Sequence, residues 1–535
     1  MKHRHLRWAL AALLAAGTAG CKDVLREDPV DFVGPENFYR NATDALAAVN
    51  ASYAALVWAP SGATWAGASA DDYYGRNMYM IPEYMTEAMT SRFSTGNERG
   101  QFDVFQFGSN HAYLQGTWFA IYHAINRANA VVGHVPQIDM DTALRTRIVG
   151  EAKFLRALHY FNLARMWGNV PLKLTETSSL DSLQIPQASE AEVYEAIISD
   201  LQDAIAALPL RSGYTTTDLG RATKGAAQTL LGKVYLQRGA TGVGTAADFA
   251  AAEAQLRAVI ASGQYLLDPN YGSLFDGTNE ASKEIIFDIQ NIRAENRGGR
   301  LMSHIGPART GFNGTNNSFQ VEFPFFNSYA STDKRRDASW LMSYTRKDGT
   351  VATWSFTATN PANSYGSTGP VPRKFWDPQT AGTGMDEPNY PLLRYADVLL
   401  MLAEAINEQA GPTGEAVGFV NQVRARAGLA ALGSADIASK AAFRDAIFRE
   451  RRWELVFEGH GFFDSQRNWA WAKARVEANM KAGLTVANGG SNANKSPFTS
   501  AVPKAFTEIT DKFRHFPIPD RAIELNPLLK QNPGW

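Results

Sequence analysis

Residues 150–172 read GEAKFLRALHYFNLARMWGNVPL, and the spacing of their apolar side chains decides the class of fold. Phe154, Leu158 and Phe161 fall at i, i+4 and i+7, one face of an amphipathic helix. The stretch predicts a helix from Ile148 to Trp167. Gly168 and Pro171 end it, the glycine by leaving the helical region and the proline by lacking an N–H for the ladder.

The same period recurs on both sides. Upstream, Leu46, Val49, Tyr53 and Leu56 mark one face of an Ala-rich helix from Asp44 to Trp58, with Thr43 as its N-cap, and a second helix runs from Trp118 to Val132. Downstream, helices are predicted over Glu192 to Leu208, Thr223 to Gln237 and Ala246 to Ala261. Helix pairs with short connections and small or aromatic residues at their packing faces predict a tetratricopeptide-like solenoid with a degenerate repeat.

From Gly263 to Asn389 the character changes. Short β-like runs, Glu284 to Ile289 and Thr350 to Thr357, are separated by long stretches rich in Gly, Asn, Ser and Pro. Loops of that length are either functional or disordered. Helical order returns at Leu393, with Tyr395, Leu399, Leu402 and Ile406 on one face. It continues through Ala416 to Ala427, stopped by Gly428, and Ala441 to Phe457, stopped by Gly459. A second loop-rich stretch, Ala482 to Val502, precedes a Pro-containing tail. The expected class is mainly α: a tetratricopeptide-like helical solenoid with a long loop-rich insertion containing short β-strands. Its parts are an N-terminal solenoid over 44–262, the insertion over 263–390 and C-terminal helices over 391–535, forming one compact unit from residue 21 onward.

Of the 535 residues, 45% are hydrophobic and 20% charged, the make-up of a chain that buries a sizeable core rather than a disordered or fibrous one. Lys and Arg number 52 against 53 Asp and Glu, so no global charge draws the chain to phosphate backbones, and nucleic acid is not expected as a partner. The 12 Trp, 19 Tyr and 29 Phe are enough to fill a core and leave rings over for stacking on sugars.

The N-terminus has the three parts of an export signal over residues 1–20: basic Lys2, Arg4 and Arg7, an apolar stretch from Trp8 to Ala16, and small residues up to Gly20. Cys21, the single cysteine, follows at once, and a polar leader runs over 21–43. The order Ala19-Gly20-Cys21 resembles a bacterial lipobox, in which the thiol takes a diacylglycerol; Thr18 stands where that pattern prefers Leu. Two or three acyl chains suffice for stable anchoring at roughly 0.8 kcal/mol per buried methylene. No apolar run of about 18 residues follows.

Signals for chemistry are lacking. There is no His-Glu-x-x-His, and the one cysteine is the candidate lipid site. Gly489-Gly490-Ser491-Asn492-Ala493 fails the Gly-x-Ser-x-Gly elbow at its last position, and Gly242-Val243-Gly244 follows a helix where a dinucleotide fingerprint needs a strand. The nine histidines have no metal-ligand spacing, so neither metal nor cofactor is expected. Arg451, Glu454 and Glu458, at i, i+3 and i+7, predict a charge network on one helical stripe rather than an acid and base of different pKa.

Several phrases, in order along the mature chain, carry a resemblance. They are Gly150-Glu151-Ala152-Lys153-Phe154-Leu155-Arg156-Ala157 with Trp167-Gly168-Asn169-Val170-Pro171; Arg221-Ala222-Thr223-Lys224-Gly225; Pro391-Leu392-Leu393-Arg394-Tyr395-Ala396-Asp397; Glu450-Arg451-Arg452-Trp453-Glu454-Leu455; and Gln531-Asn532-Pro533-Gly534-Trp535. The ordered set resembles the SusD/RagB family of outer-membrane nutrient-capture lipoproteins. The resemblance implies a helical scaffold whose loops build a ligand site, anchored to the outer membrane and acting as a lid over a SusC-like, TonB-dependent barrel transporter. Lys22 and Asp23 are similar to the short charged tags that send such lipoproteins to the cell surface.

In family members the site draws on the loop before the second helix and on the central insertion, which are here Trp58 to Phe107 and Arg293 to Tyr329. The candidate ligand residues are Trp65, Tyr73, Tyr74, Arg92, Phe93, Asn97 and Phe102 in the first region and Arg309, Phe312 and Asn316 in the second. An aromatic face covers the C–H face of a pyranose while Arg and Asn take hydroxyls, so loops with both types suit a glycan. A peptide or other nutrient on the same scaffold is the alternative, and a surface glycoside hydrolase a remote one. The same aromatics could instead pin their loops to the solenoid.

Overall fold

The computed structural model describes residues 38–57, 73–91, 97–179, 183–293, 299–306, 318–346, 348–353, 370–377, 386–487 and 508–535. Cys21 and the export signal lie outside the described residues. Helix α1 (Ala42–Ala54) begins one residue before Thr43, because Asn41 is its cap and accepts from the N–H groups of Thr43 and Asp44. The region 58–107, read from sequence as loop, contains helix α2 (Asn77–Tyr84), strand β1 (Met89–Ser91) and helix α3 (Glu98–Asp103).

Helix α4 (Ala112–His134) starts six residues before the expected Trp118, with His111 Nδ1 accepting from the Tyr113 N–H. Helix α5 (Thr142–Trp167) likewise starts early, on Asp141, and ends where Gly168 takes φ +70°. Almost every residue of α5 from Ile148 on is buried, the polar Glu151, Arg156, His159, Asn162 and Arg165 among them, so the helix runs through the interior of the molecule. Helix α6 (Glu190–Ala207) opens with a capping box in which Ser189 and Glu192 serve each other's backbone, and α7 (Lys224–Thr241) opens on Thr223. Helix α8 (Ala247–Ala261) follows, and α4 to α8 pack each against the next in a row.

After α8 the chain leaves the row through strand β2 (Ile285–Ile289), passes helix α9 (Leu301–Ile305) and strand β3 (Phe319–Val321), and returns through β4 (Tyr390–Arg394). Strands β2 and β4 are antiparallel neighbours, with Ile289 opposite Tyr390 and Asp288 opposite Pro391. Leu393, expected to begin a helix, is therefore in a strand. Helix α10 (Tyr395–Ala410) starts two residues later and packs against α8, so the row resumes where the insertion interrupted it. Helices α11 (Gly414–Arg426), α12 (Lys440–Leu455), α13 (Gly461–Arg467) and α14 (Trp469–Ala487) complete the body. The predicted second loop from Ala482 thus begins as helix up to Ala487. Gly428 stops α11 as expected, with positive φ, whereas α12 ends at Leu455 because Val456 turns extended; Gly459, also of positive φ, lies in the turn that follows. No helix among the described residues is long and apolar enough to cross a membrane.

The C-terminal tail closes over the end of α5. Trp167 Nε1 donates to the Pro517 carbonyl at 3.0 Å, and Asn532 Nδ2 donates to the carbonyls of Trp167 and Phe516. The expected charge network exists, but its partners differ from the single stripe. Helix α12 ends before Glu458, and Arg451 turns to Asp397 and Asp464 instead. Glu454 is held by Arg394, Arg335 and Arg426, and Glu458 by Arg394 and Lys374, residues that no local spacing links.

Candidate ligand-binding site

Strand β1 pairs antiparallel with β3, Met89 opposite Val321, Thr90 opposite Gln320 and Ser91 opposite Phe319. Ser91, the last residue of β1, and Phe319, the first of β3, thus stand at the same end of the ladder. The two regions read from sequence as ligand loops, more than two hundred residues apart, are sewn together there. Asp103 fixes the ladder to α3, its Oδ2 accepting from Thr90 Oγ1 and the Ser91 N–H, both at 3.0 Å.

The structure treats the sequence candidates unequally. Trp65, Arg92, Phe93, Arg309, Phe312 and Asn316 lie outside the described residues. Asn97 caps α3, its Oδ1 accepting from the Arg99 N–H at 3.1 Å, and stays partly exposed beside the ladder. Tyr73, Tyr74 and Phe102 are buried, at 2%, 6% and 0% exposed. Tyr73 Oη lies 2.8 Å from His159 Nδ1, and Asn162 Nδ2 donates to both tyrosine hydroxyls. Arg165 completes this chain, donating to Asn162 Oδ1 while stacked 3.6 Å over the Phe463 ring. Phe102 packs between His111 and Phe107. These three aromatics pin the first region to the solenoid.

Sequence reasoning missed a cationic group beside the same ladder. The Arg76 guanidinium lies 4.2 Å over the Tyr113 ring, and Arg99 donates through Nε to Tyr113 Oη at 3.2 Å. Arg99 Nη1 also donates to Ser318 Oγ at 2.6 Å, and the Ser318 N–H donates to the His304 carbonyl. Arg300 stands four residues before His304, at the cap of α9. His304 is 5% exposed, and neither of its ring nitrogens has a hydrogen-bond partner. Burial, and then the charges of Arg99, Arg76 and Arg300, hold its pKa well below the ordinary imidazole value. The only sequence signal was that both loop regions carry arginines; the ladder that joins them is not a local pattern.

The arrangement is poor for acid–base chemistry. Burial would raise Glu454, Asp464 and Asp397, but the cations around each hold all three below the ordinary carboxylate range. Burial does push Asp288 and Glu83 up to about 7, yet each is buried among its own hydrogen-bond partners, Gln290 for one and the Gly459 N–H for the other.

Residues 244–535 match the model of the SusD family, and residues 63–236 match a model described as starch-binding associating with outer membrane. SusD-like protein P2 of Formosa agariphila is 29% identical over 474 residues, 84% of this chain and 88% of that protein. A solved SusD homolog from Bacteroides thetaiotaomicron superposes with a TM-score of 0.75 at 25% identity, over 94% of this chain and 98% of that one. Surface glycan-binding protein A from the same organism, in complex with laminarihexaose, superposes with a TM-score of 0.70 over 92% of this chain and 99% of that one. At 21% identity that second likeness is one of fold.

Proposed function

The chain belongs to the SusD family of non-catalytic binding proteins, and from that premise we propose that it captures a glycan at the cell surface and passes it to a SusC-like, TonB-dependent barrel transporter. The observation that carries the reading is the β1–β3 ladder, which gathers both candidate loop regions at one edge of a rigid helical body. The starch-binding description of the model matched by residues 63–236, and the laminarihexaose held by a protein of this fold, support a glycan as the ligand class. Lipidation at Cys21 would keep the body on the outer membrane. Capture then needs no chemistry: the ligand lies between lid and barrel, and loss of transporter contacts opens the lid.

The test uses protein lacking residues 1–21 in affinity gels cast with a panel of glycans. Retardation without product release is expected; release of sugar would overturn the binding-only reading. Paired alanine substitutions at Arg92 and Phe93, and at Arg309 and Phe312, should each weaken binding about tenfold, or ~1.4 kcal/mol, with little change in melting temperature. Unchanged affinity in both would overturn the site. In the full chain, Cys21→Ser should move the protein from the membrane to the soluble fraction.

A further inference from the structure

The connection from α6 to α7, the turn before β2 and the residue before β4 enclose a cavity of about 270 Å³, with Leu219, Glu280 and Gln290 exposed along its lining. None of its lining residues belongs to the β1–β3 ladder or to the two loop regions joined there. Ligand sites run from roughly 300 Å³ upward, so this space suits a group of about the size of one sugar ring rather than a whole oligosaccharide. Gly220, at φ +88°, lets the connection approach Gln290: a Cβ there would lie 2.6 Å from Gln290 Cγ.

Asp288 stands in the wall, 5% exposed, and its Oδ1 accepts from Gln290 Nε2 at 2.6 Å. Burial, with the Glu280 charge adding to it, pushes its pKa up to about 7 against the pull of that hydrogen bond. A carboxyl that has lost water in this way gains when ligand hydroxyls donate to it. Glu280 Oε1 accepts from the Asn389 N–H at 3.2 Å. The cations of the lining are already committed: Arg211 donates to the carbonyls of Ser282, Ile285 and Ala281, and Arg221 to the carboxylates of Asp218 and Glu151. An anionic ligand would therefore meet two carboxyls and no uncommitted guanidinium. A metal ion finds no group of three carboxylate or histidine donors among the described residues. A sugar residue fits both limits, because its hydroxyls donate to the carboxyls and accept from the Gln290 amide. Its C–H face can lie on Leu219, 50% exposed, and on Tyr214, which is fixed by the bond from its hydroxyl to the Ala222 carbonyl.

We propose that this cavity is a second glycan-binding site, separate from the ladder, which receives one uncharged sugar residue through Asp288, Glu280 and Gln290. The proposal rests on the glycan reading above and adds a place to it. Two sites on one rigid body hold a single polysaccharide twice, which raises its retention without strengthening either contact.

The test is calorimetric titration of the protein lacking residues 1–21 with laminarihexaose, maltohexaose, cellohexaose and mannohexaose. In the variant with Arg92→Ala and Phe93→Ala, at least one of the four should still bind, one molecule per chain. Adding Asp288→Ala to that variant should lower the remaining affinity at least about tenfold, the usual result of removing a charged hydrogen-bond partner. Leu219→Asp, a change at an exposed position that leaves the fold intact, should weaken it as well, and Asp288→Asn, which keeps the shape, should recover part of the loss. Remaining affinity that neither Asp288→Ala nor Leu219→Asp alters would overturn the second site while the glycan reading stands. So would a parent that binds glycan and an Arg92, Phe93 variant that binds none of the four. A parent that retains no glycan at all would overturn both.

Discussion

Gly459 adopts φ +72°, and a Cβ built on it would lie 2.6 Å from the carbonyl oxygen of Met78 in α2. The sequence marks this glycine as a helix stop; the helix ends earlier, at Leu455, and the glycine lies in the turn that follows. What the sequence does not show is that the turn it makes rests on the helix beneath the first loop region. Its N–H donates to buried Glu83, so both the backbone conformation and the contact exclude a side chain. Gly459→Ala should cost about 2–4 kcal/mol in a denaturant titration, combining left-handed strain with the clash. A variant as stable as the parent would mean that α2 can withdraw. The tyrosines at 73 and 74 were legible as aromatic but not as buried. Their burial depends on Asn162 and His159, nearly ninety positions away, and no local pattern announces such partners.

Strand β1 is three residues long, too short to be stable on ladder bonds alone, yet it brings the two loop regions together. Asp103 supplies the missing restraint by accepting from Thr90 and Ser91. Asp103→Ala should therefore loosen the Ser91 amide in hydrogen exchange and lower glycan affinity about tenfold, or ~1.4 kcal/mol, with a shift of only a few degrees in melting temperature. Unchanged affinity would show that the ladder holds without this tie. At this scale the sequence was most readable in helix interiors, where the 3.6-residue period is strong. It was least readable at helix starts: α4 and α5 each begin six residues early because His111 and Asp141 cap turns whose residues lack the apolar stripe. Strands β1 and β3 left no trace, since two or three residues cannot display alternation.

Across the whole molecule, one carboxylate joins the insertion, the returning strand and the C-terminal helices. Glu454 on α12 accepts from Arg394 of β4 at 2.6 Å, from Arg335 of the insertion at 3.1 Å, and from Arg426 of α11. Its side chain is fully buried, as are those of Arg335 and Glu284, the latter also bound to Arg394 and Arg426. Burial alone would raise the pKa of Glu454, but Arg426, Arg394 and Arg335 hold it well below the ordinary 4.5. A carboxylate depressed in the folded state binds a proton more readily once unfolded. Its contribution to stability is therefore complete above pH 4.5 and is lost as the pH falls toward the folded value. Glu454→Gln leaves three guanidiniums short of a charge partner and places an amide N–H₂ among donors. At pH 7 it should lose about 3–5 kcal/mol in urea denaturation, the usual result of removing one partner from a buried ionic cluster. The gap between parent and variant should narrow at pH 3.5, because the parent then begins to lose what the variant already lacks. A gap that stays constant between the two pH values would mean that Glu454 acts through shape and hydrogen bonding rather than through its charge, and that the insertion is fastened to the solenoid by packing.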